Sequence, residues 1–148
     1  MSTRATSGST RWVLFVAIAV VGLLALSRTG MLSGGNDIVP WQADVAAAIA
    51  QAESADQPRL LYFTASWCPP CQQMRQTTFS QQSVASLLAP YVPVKVDIDQ
   101  HPELATKYGI SAVPTFVMLA GSSELARASG YMDERDLAEW IIRATTTR

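Results

Sequence analysis

The sequence predicts an α/β domain with a mixed central sheet and helices on both faces, preceded by a hydrophobic N-terminal helix. Three observations support this fold class. Short apolar runs typical of buried strands alternate with stretches of helical periodicity through residues 41–148. A strand–helix–strand unit followed by a hairpin gives a sheet with both parallel and antiparallel pairs. An uninterrupted apolar run, residues 12–26, lies outside this alternating pattern.

The composition of the chain is that of a packed domain without a nucleic-acid partner. Hydrophobic residues make up 49% of its 148 residues and charged residues 16%, which is enough apolar side chain to fill a core. The formal net charge is −1, and the arginines are isolated from one another. No basic surface is therefore expected to bind DNA or RNA.

The domain is predicted to contain eight main elements in the order α-β-α-β-α-β-β-α, with a further helical piece after the second helix. Helices follow from apolar residues at helical spacing and strands from short apolar or alternating runs bounded by turn residues. Ser80 is expected to cap the further piece. The predicted helices are 41–54, 72–79, 80–89, 101–108 (ended by Gly109) and one opening at Asp133; the predicted strands are 59–65, 91–98, 114–120 and 124–129, with a turn at 121–123.

Residues 12–26 are interpreted as a membrane anchor or as the hydrophobic region of a signal peptide. The run is shorter than the ~20 residues that a membrane-spanning helix uses. Small residues around Ser27 suit cleavage by a signal peptidase. A buried helix of the domain is disfavoured because the run has no polar face. We favour the uncleaved anchor, with secretion of the domain as the outcome if cleavage occurs near Ser27.

The charges flanking this run predict its orientation. Arg4 and Arg11 precede it without any acidic residue, so the positive-inside rule places segment 1–11 in the cytoplasm. Everything after residue 26 would then be exported. Residues 27–40 are rich in Gly and Ser and are predicted to be a flexible linker to the domain at 41–148.

The only two cysteines of the chain, Cys68 and Cys71, lie where the first predicted strand gives way to a helix. Residues three apart at a helix start share a face, so the two sulfurs can form a small disulfide ring. Backbone N–H groups at a helix N-terminus also stabilise a thiolate there. A zinc site within one chain is disfavoured because His101 is the only other soft ligand. The pair is therefore predicted to be redox-active, with no metal or cofactor.

The two prolines between the cysteines limit the stabilisation of the Cys68 thiolate. If Cys68 is the N-cap, Pro69 and Pro70 occupy the first two helical positions and have no N–H to donate. The Cys71 N–H remains as the nearest donor. We therefore expect a middling to reducing couple and not a strong oxidant.

Four stretches of the domain resemble the thioredoxin-fold thiol–disulfide oxidoreductases. FTASWCPPC is similar to the family's first central strand and active-site turn, and KVDIDQHPELATKYGI to the segment after the next strand. SAVPTF is similar to the loop that carries the family's cis-proline, and GYMDERDLAEWI to the closing helix. The resemblance covers nearly all of residues 41–144 and is greatest to the exported, membrane-linked branch, including the C-terminal domain of transmembrane thiol reductases.

The resemblance implies a role for each candidate site residue. Cys68 would be the exposed nucleophile and Cys71 the more buried resolving thiol of a redox disulfide. Trp67 would be an exposed docking surface, although composition alone favours core packing for it. An extended substrate would bind at Val113, Pro114 and Thr115, with the Val113–Pro114 bond cis; from the residues alone, a trans proline at a strand start is equally acceptable.

One position departs from the family pattern. Tyr62 stands where the family commonly has a buried acid that takes the proton of the resolving thiol, and Lys95 matches the family's neighbouring lysine. A phenol with a pKa near 10 is a poor base at neutral pH. Proton loss from Cys71 is therefore expected to be slow, or to depend on water or substrate.

These observations predict an exported, membrane-tethered oxidoreductase that reduces disulfides in protein substrates. Residues 12–26 would anchor it in the inner membrane with the domain in the periplasm or cell exterior. A transmembrane thiol carrier would supply electrons, and cytochrome c maturation or disulfide repair would be its client pathways. The alternatives are a disulfide oxidase or isomerase on the same fold, and a non-catalytic thioredoxin-like binding module.

Overall fold

The computed structural model describes residues 37–54 and 57–146. The predicted segments 1–11 and 12–26, and the linker up to residue 36, lie outside the described residues. Within the described ranges, no helix is both long and apolar enough to cross a membrane. The ordered contacts begin ahead of the predicted domain start at Trp41, because Val39 is already buried, with 6% of its surface exposed.

The sheet has four strands in the order β2-β1-β3-β4. β1 pairs in parallel with β2, whereas β3 is antiparallel to both β1 and β4. This arrangement confirms the predicted mixed sheet. The strands are β1 (Arg59–Thr64), β2 (Val92–Asp97), β3 (Thr115–Ala120) and β4 (Ser123–Ser129).

In residues 37–54 and 57–146, five helices surround the sheet. Their apolar residues fall into two separate clusters because successive strand residues point to opposite faces. One cluster includes Leu60 and Tyr62 of β1, and the other includes Leu61 and Phe63. The helices are α1 (Val45–Ser54), α2 (Pro69–Thr77), α3 (Gln82–Leu88), α4 (Pro102–Lys107) and α5 (Glu134–Thr146).

The two clusters place helices on both faces of the sheet, as predicted. α2, α3 and α5 contribute Met74, Leu88 and Leu137 to the first cluster. α1 contributes Ile49 to the second, and Leu104 of α4 packs against it. The core therefore lies in two layers, with β1 and β3 buried along their whole length between them.

The predicted start of the first helix, at Trp41, is wrong. The helix begins at Val45, and the Ala47 N–H donates to Asp44 Oδ1 at 2.9 Å, a capping bond at the helix start. Trp41 packs on the other face of the sheet, with its ring centroid 5.1 Å from that of Phe79. The helical spacing of Trp41 was therefore coincidental.

The predicted cap at Ser80 is also wrong. The Ser80 hydroxyl donates back to the carbonyl oxygens of Gln76 and Thr77, at 2.8 and 3.0 Å. α3 instead starts after Gln81, whose side chain makes no capping bond. Ser80 thus closes the end of α2 instead of opening α3.

The two later helix boundaries agree with the sequence prediction. Gly109 follows α4 with a φ of +61°, a left-handed conformation that glycine adopts without steric cost. Asp133 precedes α5, and its Oδ1 accepts a hydrogen bond from the Asp136 N–H at 2.9 Å. The predicted inner face of α5 is buried and includes Trp140 and Ile141.

Candidate active site

Cys68 and Cys71 form a disulfide at the N-terminus of α2. Cys68 is the N-cap residue, a few residues beyond the carboxyl end of β1. The S–S bond measures 2.05 Å, and the two Cα atoms lie 5.3 Å apart. The predicted pairing of the only two cysteines is therefore confirmed.

The prolines occupy the positions predicted for them, N1 and N2 of the helix. Neither Pro69 nor Pro70 has an N–H, and the Cys71 N–H donates to Cys68 Sγ at 3.2 Å. Among the described residues this is the capping bond that the Cys68 side chain accepts. A Cys68 thiolate at this position would have one backbone donor close to it.

Both sulfurs are buried in the disulfide form, which corrects the expected exposure of Cys68. Its exposed fraction is 2%, and that of Cys71 is 4%. The bond holds both side chains in a small apolar cluster with Ala65, against which Ile98 and Val113 pack. The expected difference in burial between the two cysteines is not present in this form.

Trp67 lies beside the disulfide and is 61% exposed, which excludes core packing for it. Its indole Nε1 donates to Asp99 Oδ2 at 2.8 Å, and this bond fixes the ring on the surface. Asp99 was not identified from the sequence, because nothing in its local pattern indicates a bond to Trp67. Its own N–H donates to Asp97 Oδ1, which orders that loop.

The loop before β3 also contacts the cysteine cluster. The Val113–Pro114 bond is cis, as the resemblance implied, and Val113 packs against the cysteine cluster. Thr115 is buried, and its hydroxyl donates to the Ala112 carbonyl oxygen at 2.8 Å. The substrate-binding role of Val113, Pro114 and Thr115 stays a prediction.

Tyr62 lies beneath the site in an aromatic cluster. It is 1% exposed, and its ring centroid lies 4.9 Å from those of both Phe79 and Phe116. Burial raises the pKa of Tyr62 to about 12. The nearby Thr64 side chain partly offsets this rise in pKa. Among the described residues, the phenol oxygen has no hydrogen-bond partner of normal geometry.

Lys95 is paired with a carboxylate that the sequence did not identify as part of the site. Its Nζ lies 3.1 Å from Asp37 Oδ2, and the Asp37 side chain is 10% exposed. Asp37 Oδ2 also accepts a hydrogen bond from Trp41 Nε1 at 2.9 Å. Asp37 was assigned to the flexible linker because nothing in the local pattern distinguishes a buried acid from a solvated one.

A cavity of about 30 Å³ adjoins Cys71. A cavity of this size can hold one water molecule, and its walls are partly polar and partly apolar. Within the described parts of the chain, no group of His, Cys, Asp or Glu side chains is placed to hold a metal ion. The cavity is lined by Tyr62, Thr64, Ala65, Ser66, Cys71, Gln72, Arg75 and Lys95.

A dithiol–disulfide pair at a helix N-terminus, beside a cis-proline and on a mixed α/β sheet, defines a thiol–disulfide oxidoreductase. Comparison with known proteins agrees. The thioredoxin-like domain family matches residues 45–145. Thioredoxin-1 of Drosophila yakuba is 37% identical over 92 residues, which are 62% of this chain and 83% of that protein.

Solved structures show the same fold. A thioredoxin from Thermus thermophilus superposes with a TM-score of 0.59 at 30% identity, covering 73% of this chain and 85% of that one. The oxidised C-terminal domain of Neisseria meningitidis DsbD has a TM-score of 0.59 at 24% identity, covering 70% and 98%. The chain belongs to the thioredoxin-like family, and the resemblance found in the sequence is confirmed.

Proposed function

We propose that the protein reduces disulfides in protein substrates from an exported position, tethered to the membrane by residues 12–26. The observation that carries the reducing direction is the sparse donor set at Cys68. One backbone N–H reaches its sulfur, since Pro69 and Pro70 supply none. Fewer donors leave the thiolate less stabilised, which favours the disulfide form of the protein and makes the dithiol the better reductant.

The reaction is a pair of thiol–disulfide exchanges. The Cys68 thiolate attacks one sulfur of a substrate disulfide, a mixed disulfide forms, and the other substrate sulfur leaves as a thiolate. Cys71 then loses its proton and attacks Cys68 Sγ. The Cys68–Cys71 bond forms, and the second substrate sulfur leaves. The substrate gains two electrons and two protons, while the dithiol of the protein becomes the disulfide seen in the structure.

The surface around the pair suits an extended polypeptide. Trp67 is exposed next to Cys68 in the chain, and Val113 packs against the cysteine cluster. The backbone of the loop at Val113 can pair with a substrate strand through main-chain hydrogen bonds. Substrate selectivity would then come from the shape around the disulfide and from Trp67.

The membrane tether and the source of electrons are proposed from the sequence. The apolar run 12–26 and the preceding Arg4 and Arg11 support an anchored protein with its domain on the far side of the inner membrane, in the periplasm or cell exterior. A reductase there has no cytoplasmic dithiol pool to draw on. Its disulfide must therefore be reduced by a transmembrane thiol carrier.

A trapping experiment tests the proposed direction and identifies the partners. The full chain carrying Cys71→Ser is expressed in cells, and proteins disulfide-bonded to it are recovered under non-reducing conditions. We expect exported disulfide proteins, including any in cytochrome c maturation, and one membrane thiol carrier. The matched control carries Cys68→Ala and Cys71→Ser together and should capture none of them. An empty Cys71→Ser trap would favour a non-catalytic binding module.

The tether is tested separately by protease accessibility. In intact cells with a permeable outer envelope, added protease should degrade the domain of the full chain and spare a cytoplasmic marker. Membrane fractionation should retain the full chain, whereas a chain lacking residues 12–26 should remain in the cytoplasm. Protection of the domain until the inner membrane is lysed would refute the export proposal.

A further inference from the structure

Arg75 is an unexplained cation next to the resolving cysteine. It lies four residues after Cys71 in α2, so both side chains occupy the same helix face. Both also line the cavity of about 30 Å³ at the base of the disulfide. The Arg75 side chain is partly buried, and its Nε is fully buried with no hydrogen-bond partner among the described residues.

A buried donor without a partner costs free energy in the folded state. Such an atom needs an acceptor, which a water in the cavity or a negative charge at Cys71 can supply. The disulfide form shown here has no negative charge at Cys71, whereas the reduced protein can carry a thiolate there. A thiolate would give the buried Arg75 Nε–H an acceptor across the cavity.

The other ionisable groups facing Cys71 do not supply an equivalent charge. Tyr62 of β1 is neutral at physiological pH because burial raises its pKa to about 12. Lys95 of β2 lies 3.1 Å from the Asp37 carboxylate, which neutralises much of its field. Among the described residues Arg75 has no such ion pair, so it is the uncompensated positive charge at the cavity.

We propose that Arg75 is a positioning residue that stabilises the Cys71 thiolate and thereby accelerates the resolving step. This inference rests on the proposed exchange reaction. In that step Cys71 gives up its proton to solvent, and its sulfur bonds to Cys68 Sγ while the substrate sulfur leaves. The charge of Arg75 takes over the task that a buried base at position 62 would perform, by lowering the pKa of the thiol instead of accepting its proton.

The pKa of the Cys71 thiol tests this proposal directly. In full chain solubilised in detergent, reduced and carrying Cys68→Ala, Cys71 titrates alone and its Cβ carbon shift can be followed by NMR. Arg75→Gln should raise this pKa by about one, which is about a tenfold loss of thiolate at pH 7. Arg75→Lys keeps the charge and should recover most of that loss.

The matched control is Arg135→Gln, which removes the same charge from an exposed position on α5. In the chain with both cysteines, Arg75→Gln should slow the release of a trapped substrate by about tenfold at pH 7, and the deficit should vanish at high pH. The proposal is overturned if Arg75→Gln moves the Cys71 pKa no more than Arg135→Gln does. It is equally overturned if Arg75→Lys behaves like Arg75→Gln.

The titration needs no substrate, so its result is independent of the reductase proposal. A wild-type chain that fails to reduce disulfide proteins, yet shows the Arg75-dependent pKa, would refute the proposed function alone. A wild-type chain that reduces them, with a Cys71 pKa indifferent to Arg75, would refute this inference alone.

Discussion

Replacing Tyr62 with phenylalanine removes one hydroxyl from the region beneath the redox pair and keeps the aromatic packing. The ring stacks 5.5 Å from Trp41 and 4.9 Å from Phe116, and both contacts survive the change. The substitution therefore separates the phenol from the ring. We expect Tyr62→Phe to keep the reductase activity of the wild type at neutral pH. At alkaline pH its free energy of unfolding should exceed that of the wild type.

The magnitudes follow from the pKa of about 12. At pH 7 such a phenol is deprotonated in about one molecule in 10⁵, which corresponds to about 7 kcal/mol and excludes it as a base. In the unfolded chain its pKa is about 10. Since the folded value is the higher one, the contribution of Tyr62 to stability is fully present below pH 10. It is lost as pH rises towards 12, by about 3 kcal/mol.

The assay is urea unfolding of both proteins at several pH values, together with turnover of a disulfide protein at pH 7. The difference in free energy of unfolding between Tyr62→Phe and wild type should stay constant up to pH 10 and then increase in favour of the variant. Tyr131→Phe, which removes the hydroxyl of an exposed tyrosine, is the matched control and should show no such increase. A tenfold loss of turnover in Tyr62→Phe with intact folding would refute the reasoning.

Four further substitutions test other parts of the structure. Pro70→Ala supplies an N–H at the second helical position, so it should raise the reduction potential of the Cys68–Cys71 pair by about 20 mV, measured against glutathione. An unchanged potential would mean that the number of N–H donors does not control the couple. Asp37→Asn should lower the free energy of unfolding by about 1–2 kcal/mol because charge-assisted bonds from Trp41 and Lys95 are lost. Glu124→Gln breaks the more exposed ion pair with Arg127 and should lower the free energy of unfolding by less than about 1 kcal/mol. Equal losses for Asp37→Asn and Glu124→Gln in urea unfolding would contradict this order. Gly109→Ala should lower the free energy of unfolding by about 1 kcal/mol, because alanine is strained at a positive φ. An added Cβ meets no atom within 4 Å, so no steric clash contributes. An unchanged stability in thermal unfolding would show that the loop relaxes.

The sheet could be predicted because its signals are local. RLLYFTA is mostly apolar, and a strand that is buried on both faces needs no alternation. The redox pair could be predicted because a helix start brings residues three apart close together. The two prolines lack a backbone N–H in any fold, so the small number of donors to Cys68 could be predicted as well. These features depend on a few neighbouring residues.

The features that were missed depend on contacts between distant segments. Asp37 meets Lys95 across 58 positions of sequence, and Trp67 bonds to Asp99 across 32. The burial of Cys68 depends on Ile98 and Val113, which come from two other loops. The start of α1 was misplaced because Trp41 matches the helical period while packing on the opposite face of the sheet. The spacing of apolar residues does not show on which face of the sheet a residue next to a helix packs.

The equilibrium reduction potential of the Cys68–Cys71 pair decides whether the couple donates electrons to its substrates. Full-length protein in detergent is equilibrated with defined ratios of reduced and oxidised dithiothreitol and of glutathione, and its thiols are then counted. We predict a potential nearer to the about −270 mV of a reducing thioredoxin-type couple than to the about −120 mV of a strong oxidant. A value near −120 mV would contradict it and would favour a disulfide oxidase on the same fold.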